Sequence, residues 1–166
     1  MNMLRVLLLA ALFLPLSACK AEPQAIPAPT QEVGVSPAGM ERVPLVIRSG
    51  TTDHHFVVEV AATFAQQEHG LMFRERVGPD EGMIFPFRTP RPATFWMKNT
   101  VVPLDMLFIR ADGSIARIAA NTTPYSLDPV GVGEPVLAVL EIAGGRAAQL
   151  GITEADKVIW EGRPGP

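Results

Sequence analysis

Leu104-Asp105-Met106-Leu107-Phe108-Ile109-Arg110 and Ser114-Ile115-Ala116-Arg117-Ile118-Ala119-Ala120 flank the dipeptide Asp112-Gly113. Asp-Gly between apolar runs is a strong two-residue hairpin signal, because both residues tolerate the positive φ of a tight β-turn. The two runs therefore read as neighbouring antiparallel strands. Working outward, Val136 to Ile142 is apolar at both alternating sets of positions except Glu141, which marks a strand covered on both faces. In Phe56 to Ala61, Phe56, Val58 and Val60 share one face while Val57 and Glu59 share the other. Val43 to Ile47, Met83 to Phe87, Thr94 to Thr100 and Lys157 to Trp160 read as further strands. Thr63 with Gln66 three residues on forms a capping box for a short helix, Phe64 to His69, that Gly70 ends. A second short helix, Arg146 to Leu150, stops at Gly151. Thr122 to Pro135, with three prolines and two glycines, is a loop. The expected fold is mostly β (α+β): a compact barrel-like or rolled mixed sheet of about seven or eight short strands with two short helices.

Composition narrows the function classes. The chain has 166 residues, 48% of them hydrophobic and 19% charged, which excludes wholesale disorder. Its net charge of −3 is a poor match to nucleic-acid phosphate, so no nucleic-acid partner is expected. A single cysteine excludes an internal disulfide and any multi-cysteine metal cluster.

The amino terminus reads as an export signal. Arg5 precedes an apolar run from Val6 to Leu14, followed by Leu16-Ser17-Ala18-Cys19. Residues 1–18 have the charged, apolar and small-residue regions of a signal peptide, and the run is short of the roughly 20 residues that span a bilayer. The Leu-Ser-Ala-Cys string resembles a bacterial lipobox, which implies cleavage before Cys19, lipidation of its thiol and acylation of the new amino group. Residues 19–42 carry Pro23, Pro27, Pro29 and Pro37 without apolar periodicity and read as a tether from lipidated Cys19. Residues 43–166 then form a single barrel-like domain. The expected location is the cell envelope, facing the periplasm and held by lipid. Lys20, where Asp would favour inner-membrane retention, leans toward the outer membrane.

Four stretches occur together: Gly70-Leu71-Met72-Phe73-Arg74; Gly82-Met83-Ile84-Phe85; Phe95-Trp96-Met97-Lys98-Asn99-Thr100 with Pro103-Leu104-Asp105; and Val139-Leu140-Glu141. In order and spacing they closely resemble the family known as domain of unknown function 192, over roughly Val43 to Trp160. The resemblance implies a small, mostly-β domain with short helices. It implies no activity and carries over no catalytic residue.

The polar residues of these stretches are the candidate site. On a strand, Trp96, Lys98 and Thr100 would share one face and Phe95, Met97 and Asn99 the other. Trp96 offers a ring for stacking and Lys98 a cation; the alternative is a packed Trp with Lys passing over it. Asp105 and Glu141 interrupt apolar strands, and a buried carboxylate needs a cation or N–H donors. Lys98 and Arg74 are the candidate cations. The expected arrangement places Glu141 and Lys98 together in a polar focus near Asp105, either as a site or as a structural ion pair. Glu59 and Glu141 are a conceivable glycosidase-type carboxylate pair that nothing in the sequence brings together. Isolated methionines and His54-His55 make a poor copper site, and no metal or other cofactor is expected. The chain thus reads as an envelope lipoprotein domain that binds a small ligand or a protein partner. The alternatives are an envelope enzyme using a carboxylate–lysine set and an assembly factor without a ligand site.

Overall fold

The structure, a computed structural model, describes residues 34–161. Cys19 and the signal-peptide reading of residues 1–18 lie outside the described residues. Nine strands and two short helices follow in the order β1 (Arg42–Ser49), β2 (Thr52–Val60), α1 (Phe64–His69), β3 (Glu81–Arg91), β4 (Thr94–Phe95), β5 (Leu104–Ile109), β6 (Ile115–Thr122), β7 (Val130–Gly131), β8 (Val136–Ala143), α2 (Arg146–Leu150) and β9 (Lys157–Trp160). Seven form one mixed sheet in the order β6-β5-β8-β3-β2-β1-β9, and β4 pairs with β7 apart from it. Only β2 and β3 run parallel within the large sheet, joined by the crossover that carries α1.

The sheet rolls until its two edges touch at one point. Ser114 and Lys157 form an isolated bridge, and the Val158 N–H donates to the Gly113 carbonyl at 2.8 Å. No ladder continues from there, so the barrel expectation is corrected to a rolled sheet. The β5–β6 connection is also one residue longer than the Asp-Gly signal suggests. Arg110 N–H donates to Ser114 O across Ala111, Asp112 and Gly113, with Gly113 at φ 87°. A three-residue loop ending in a left-handed glycine is the next most common hairpin solution.

Alternation along the central strands divides the core into two layers. Leu107, Ile109, Leu140, Ile142 and Ile84 pack inside the roll with Leu45, Ile47, Phe56 and Trp160. Met106, Phe108, Val139, Met83 and Phe85 face the other way and are covered by Leu71, Ala93 and Met97. Strands β5 and β8 are therefore apolar on both faces, as the sequence of β8 requires. Residues 34–41, the end of the stretch read as tether, fold onto the domain. Val35 pairs with Glu41, and Ser36 and Met40 are buried. Gly39 at φ 74° makes the turn between them, so proline content alone overstated the length of the tether.

Thr94 to Thr100 is a strand only at Thr94 and Phe95. The remainder is a turn. Asn99 is left-handed at φ 55°, Thr100 N–H donates to Met97 O, and Phe73 N–H donates to Asn99 O at 2.8 Å. Tertiary backbone bonds, which local pattern does not carry, override the strand-like residues here.

Candidate functional site

The turn at 96–100, α1 and the outer face of β3 and β8 enclose a pocket of about 320 Å³. Leu71, Phe85, Phe87, Phe95 and Trp96 form its apolar wall, and polar side chains including Gln67, Thr100 and Arg91 line the rest. Their positions follow from local sequence. The capping box holds α1, with Gln66 N–H donating to Thr63 Oγ1 at 3.2 Å and Thr63 N–H to Gln66 Oε1 at 2.9 Å. Gln67 then fixes α1 to the sheet, its Nε2 donating to the carbonyls of Ala61 and Pro86 at 3.0 Å each. Phe95 stands edge-on to Phe85 at 5.0 Å and to Phe108 at 6.3 Å, an arrangement favoured by the ring quadrupoles. Gly70, at φ 52°, brings the end of α1 against the Phe85 ring, where a Cβ would sit 3.4 Å from it.

Glu141 lies at the base of this pocket. In the β-ladder it is opposite Met106 on one side and Met83 on the other, which fixes its side chain on the outer layer. It is 4% exposed, and among the described residues none donates a hydrogen bond to its carboxyl. Desolvation alone raises its carboxyl to a pKa of about 8, so at neutral pH it is mostly a neutral acid, able both to donate and to accept.

The structure does not bring Asp105 or Lys98 to Glu141. Asp105 is opposite Ile142, one residue out of step, and so points into the roll. There it is fully buried and satisfied by backbone: Oδ1 accepts from the N–H groups of Asn121 and Gly145 at 2.8 Å each, and Oδ2 from Ala147 N–H at 2.9 Å. Asp105 thus caps α2 from a distance, supplying the acceptor that Gly145 at the helix start lacks. Lys98 is exposed, and its Nζ lies 5.2 Å from the Trp96 ring centroid. The expected polar focus of Glu141, Lys98 and Asp105 is therefore corrected: strand alternation sends the two carboxylates to opposite faces, and the turn turns Lys98 to solvent.

Arg74 is taken by another acid. Its two terminal nitrogens each donate to one oxygen of Glu59 at 2.7 Å, and Glu59 is 8% exposed. The Glu59 bond raises the Arg74 pKa above its ordinary value. Glu59, Met83 and Glu141 occupy one row across β2, β3 and β8, so the two glutamates share a face. Glu59 opens into a second cavity with Arg74, however, and Leu71 lines both cavities between them. The glycosidase-type pair is not formed. Asn99 turns its amide toward Met72 Sδ at 3.7 Å, and Thr100, buried, lines the pocket instead. Of the residues singled out in sequence, then, Trp96 and Glu141 meet in one pocket. Phe85, from the Gly82-Met83-Ile84-Phe85 stretch, and Arg91 and Phe87, which sequence reasoning passed over, complete it. Glu141 as the one polar residue of a doubly apolar strand was the available signal.

The comparisons agree with the fold and the motif strings. The chain belongs to the DUF192 family, described as "Uncharacterized ACR", whose model matches residues 45–160. It is similar to a protein of unknown function from Novosphingobium aromaticivorans, at 48% identity and TM-score 0.74 over 76% of this chain and 91% of that one. It is also similar to a protein from Sinorhizobium meliloti described as a candidate transcription regulator, at 38% identity and TM-score 0.71 over 73% of this chain and 95% of that one. No curated protein matches the chain.

Proposed function

We propose that this protein is a lipid-tethered envelope binding module whose ligand occupies the pocket above Glu141. The observation that carries the reading is the Glu141 carboxyl, without a partner among the described residues, at the base of an aromatic-walled cavity. Burying a carboxyl without partners costs stability, and an apolar side chain there would pack with Met83 and Met106 at no such cost. A polar group kept against that cost, in a concave apolar pocket, is the usual mark of a ligand site. The Asp105 and Arg74–Glu59 clusters, satisfied by the protein itself, serve the fold.

The lipobox-like string Leu16-Ser17-Ala18-Cys19 supports export, lipidation at Cys19 and the envelope assignment, with Lys20 favouring the outer membrane. No helix among the described residues is long and apolar enough to cross a membrane. The regulator description of the Sinorhizobium protein is not carried over, because a net charge of −3 suits nucleic acid poorly. A carboxylate–lysine enzyme is the weaker reading, since Lys98 does not approach Glu141.

Screening small aromatic and cyclic fragments by protein NMR tests the proposal. Binding fragments are expected to shift resonances of Leu71, Phe95, Trp96 and Glu141 as a group. Hits that cluster elsewhere, with this group unmoved, would overturn it.

A further inference from the structure

The pocket does not end at its aromatic walls. A shallow extension shares Phe64, Gln67, Phe87 and Arg91 with it and runs on to Arg88. Five arginines of the described domain, Arg42, Arg48, Arg74, Arg110 and Arg146, each pair with a carboxylate. Arg88 and Arg91 pair with none among the described residues. Arg91 instead lies over the Phe87 ring, its guanidinium carbon 4.0 Å from the centroid. That stacking holds the side chain at the pocket mouth while leaving the N–H fork open, the disposition suited to a carboxylate or phosphate. Glu68 and His69 also line the mouth, from α1, and one carboxylate there is outnumbered by the two guanidinium groups.

Resting on the ligand-site reading above, we infer that the ligand is a compact organic anion, with a ring body against Phe85, Phe95 and Trp96 and its acidic group on Arg91 and Arg88. The ring end reaches toward Glu141, whose neutral carboxyl meets a hydrogen-bonding substituent there without repelling the distant acid. A cavity of about 320 Å³ admits one or two fused rings with short arms.

Calorimetric titration of the chain from residue 19 onward, carrying Cys19→Ser and so without lipid or signal segment, tests this with three probes of one shape: 2-naphthoate, neutral 2-naphthamide and cationic 2-naphthylmethylammonium. The expected order at pH 7 is naphthoate at least about 10-fold tighter than naphthamide, with the cation weakest, the gain of one charge-assisted contact. Arg91→Ala is expected to remove most of the preference for naphthoate and Arg88→Ala/Arg91→Ala all of it, with naphthoate losing at least about 10-fold more affinity than naphthamide in the double variant. Equal affinity for naphthoate and naphthamide, a preference for the cation, or naphthoate binding that survives the double substitution would overturn the anion inference while leaving the pocket as a ligand site. Failure of all three probes to bind, with Trp96 fluorescence unmoved, would overturn both.

Discussion

Replacing Glu141 by Gln removes one titration and little else, which makes it the sharpest probe of the buried carboxyl. The folded protein raises this group from an ordinary 4.5 to about 8, so the folded state holds its proton more tightly than the unfolded chain does. Stability from this group is therefore fully present below about pH 4.5 and is lost as pH rises toward 8. Integrating the linkage between pH 5 and pH 8 gives a loss on the order of 3 kcal/mol, each pH unit in the window contributing about 1.4 kcal/mol at most. Near its midpoint a domain of this size shifts by roughly 3–4 °C per kcal/mol, so the loss is about 10 °C in Tm. Other titrating groups change stability over the same range, but they are common to both proteins and cancel in the difference. The expected result of paired urea titrations is near-equal stability at pH 5 and a Gln variant about 3 kcal/mol more stable at pH 8. Two curves that stay parallel from pH 5 to pH 8 would refute the reasoning, since they would mean that Glu141 is ionised at its ordinary pKa through a partner or through water.

Further expectations follow from the groups around it. Glu141→Leu should raise the melting temperature at pH 8 and abolish any pocket ligand's hydrogen bond at that end, a gain of stability with loss of binding that calorimetry reads directly. Asp105→Ala leaves the buried N–H of Ala147 and the part-buried N–H groups of Asn121 and Gly145 unpaired and should cost about 2–3 kcal/mol in a denaturant titration, with loss of α2; an effect under about 1 kcal/mol would remove Asp105 from the framework. Arg74→Met strands Glu59 and should cost about 1–3 kcal/mol, held below the fully buried figure by the partial exposure of the arginine. Adding Glu59→Gln should recover part of it, and strictly additive losses would show that the two are not coupled. Cys19→Ser should abolish incorporation of labelled fatty acid and either release the protein from membranes or block processing, while an unlabelled wild type would end the lipoprotein proposal.

Much of the fold was legible because its signals are local. The capping box at Thr63 and Gln66, the glycines after both helices and the two-faced apolarity of Val136 to Ile142 each act within a few residues, and the corresponding elements form where expected. The turn at 96–100 was not legible. Its residues favour a strand, and hydrogen bonds with Phe73, Tyr125 and Ser126, distant in sequence, hold it bent. The partnering of charges was not legible for a related reason. A one-residue difference in phase between Asp105 and Glu141 decides which face each takes, and that phase is set by the β5–β8 register. Arg74 was expected as a cation for Asp105 or Glu141; that it pairs with Glu59 instead depends on the parallel β2–β3 pairing, which no turn signal encodes.

The most direct test of the ligand-site account is a carbon-detected NMR titration of the Glu141 side-chain carboxyl, in the free protein and with a pocket-binding fragment present. The account predicts a midpoint near 8 in the free protein and a displaced midpoint when the fragment is bound. A midpoint between 4 and 5 that the fragment leaves unmoved would contradict it.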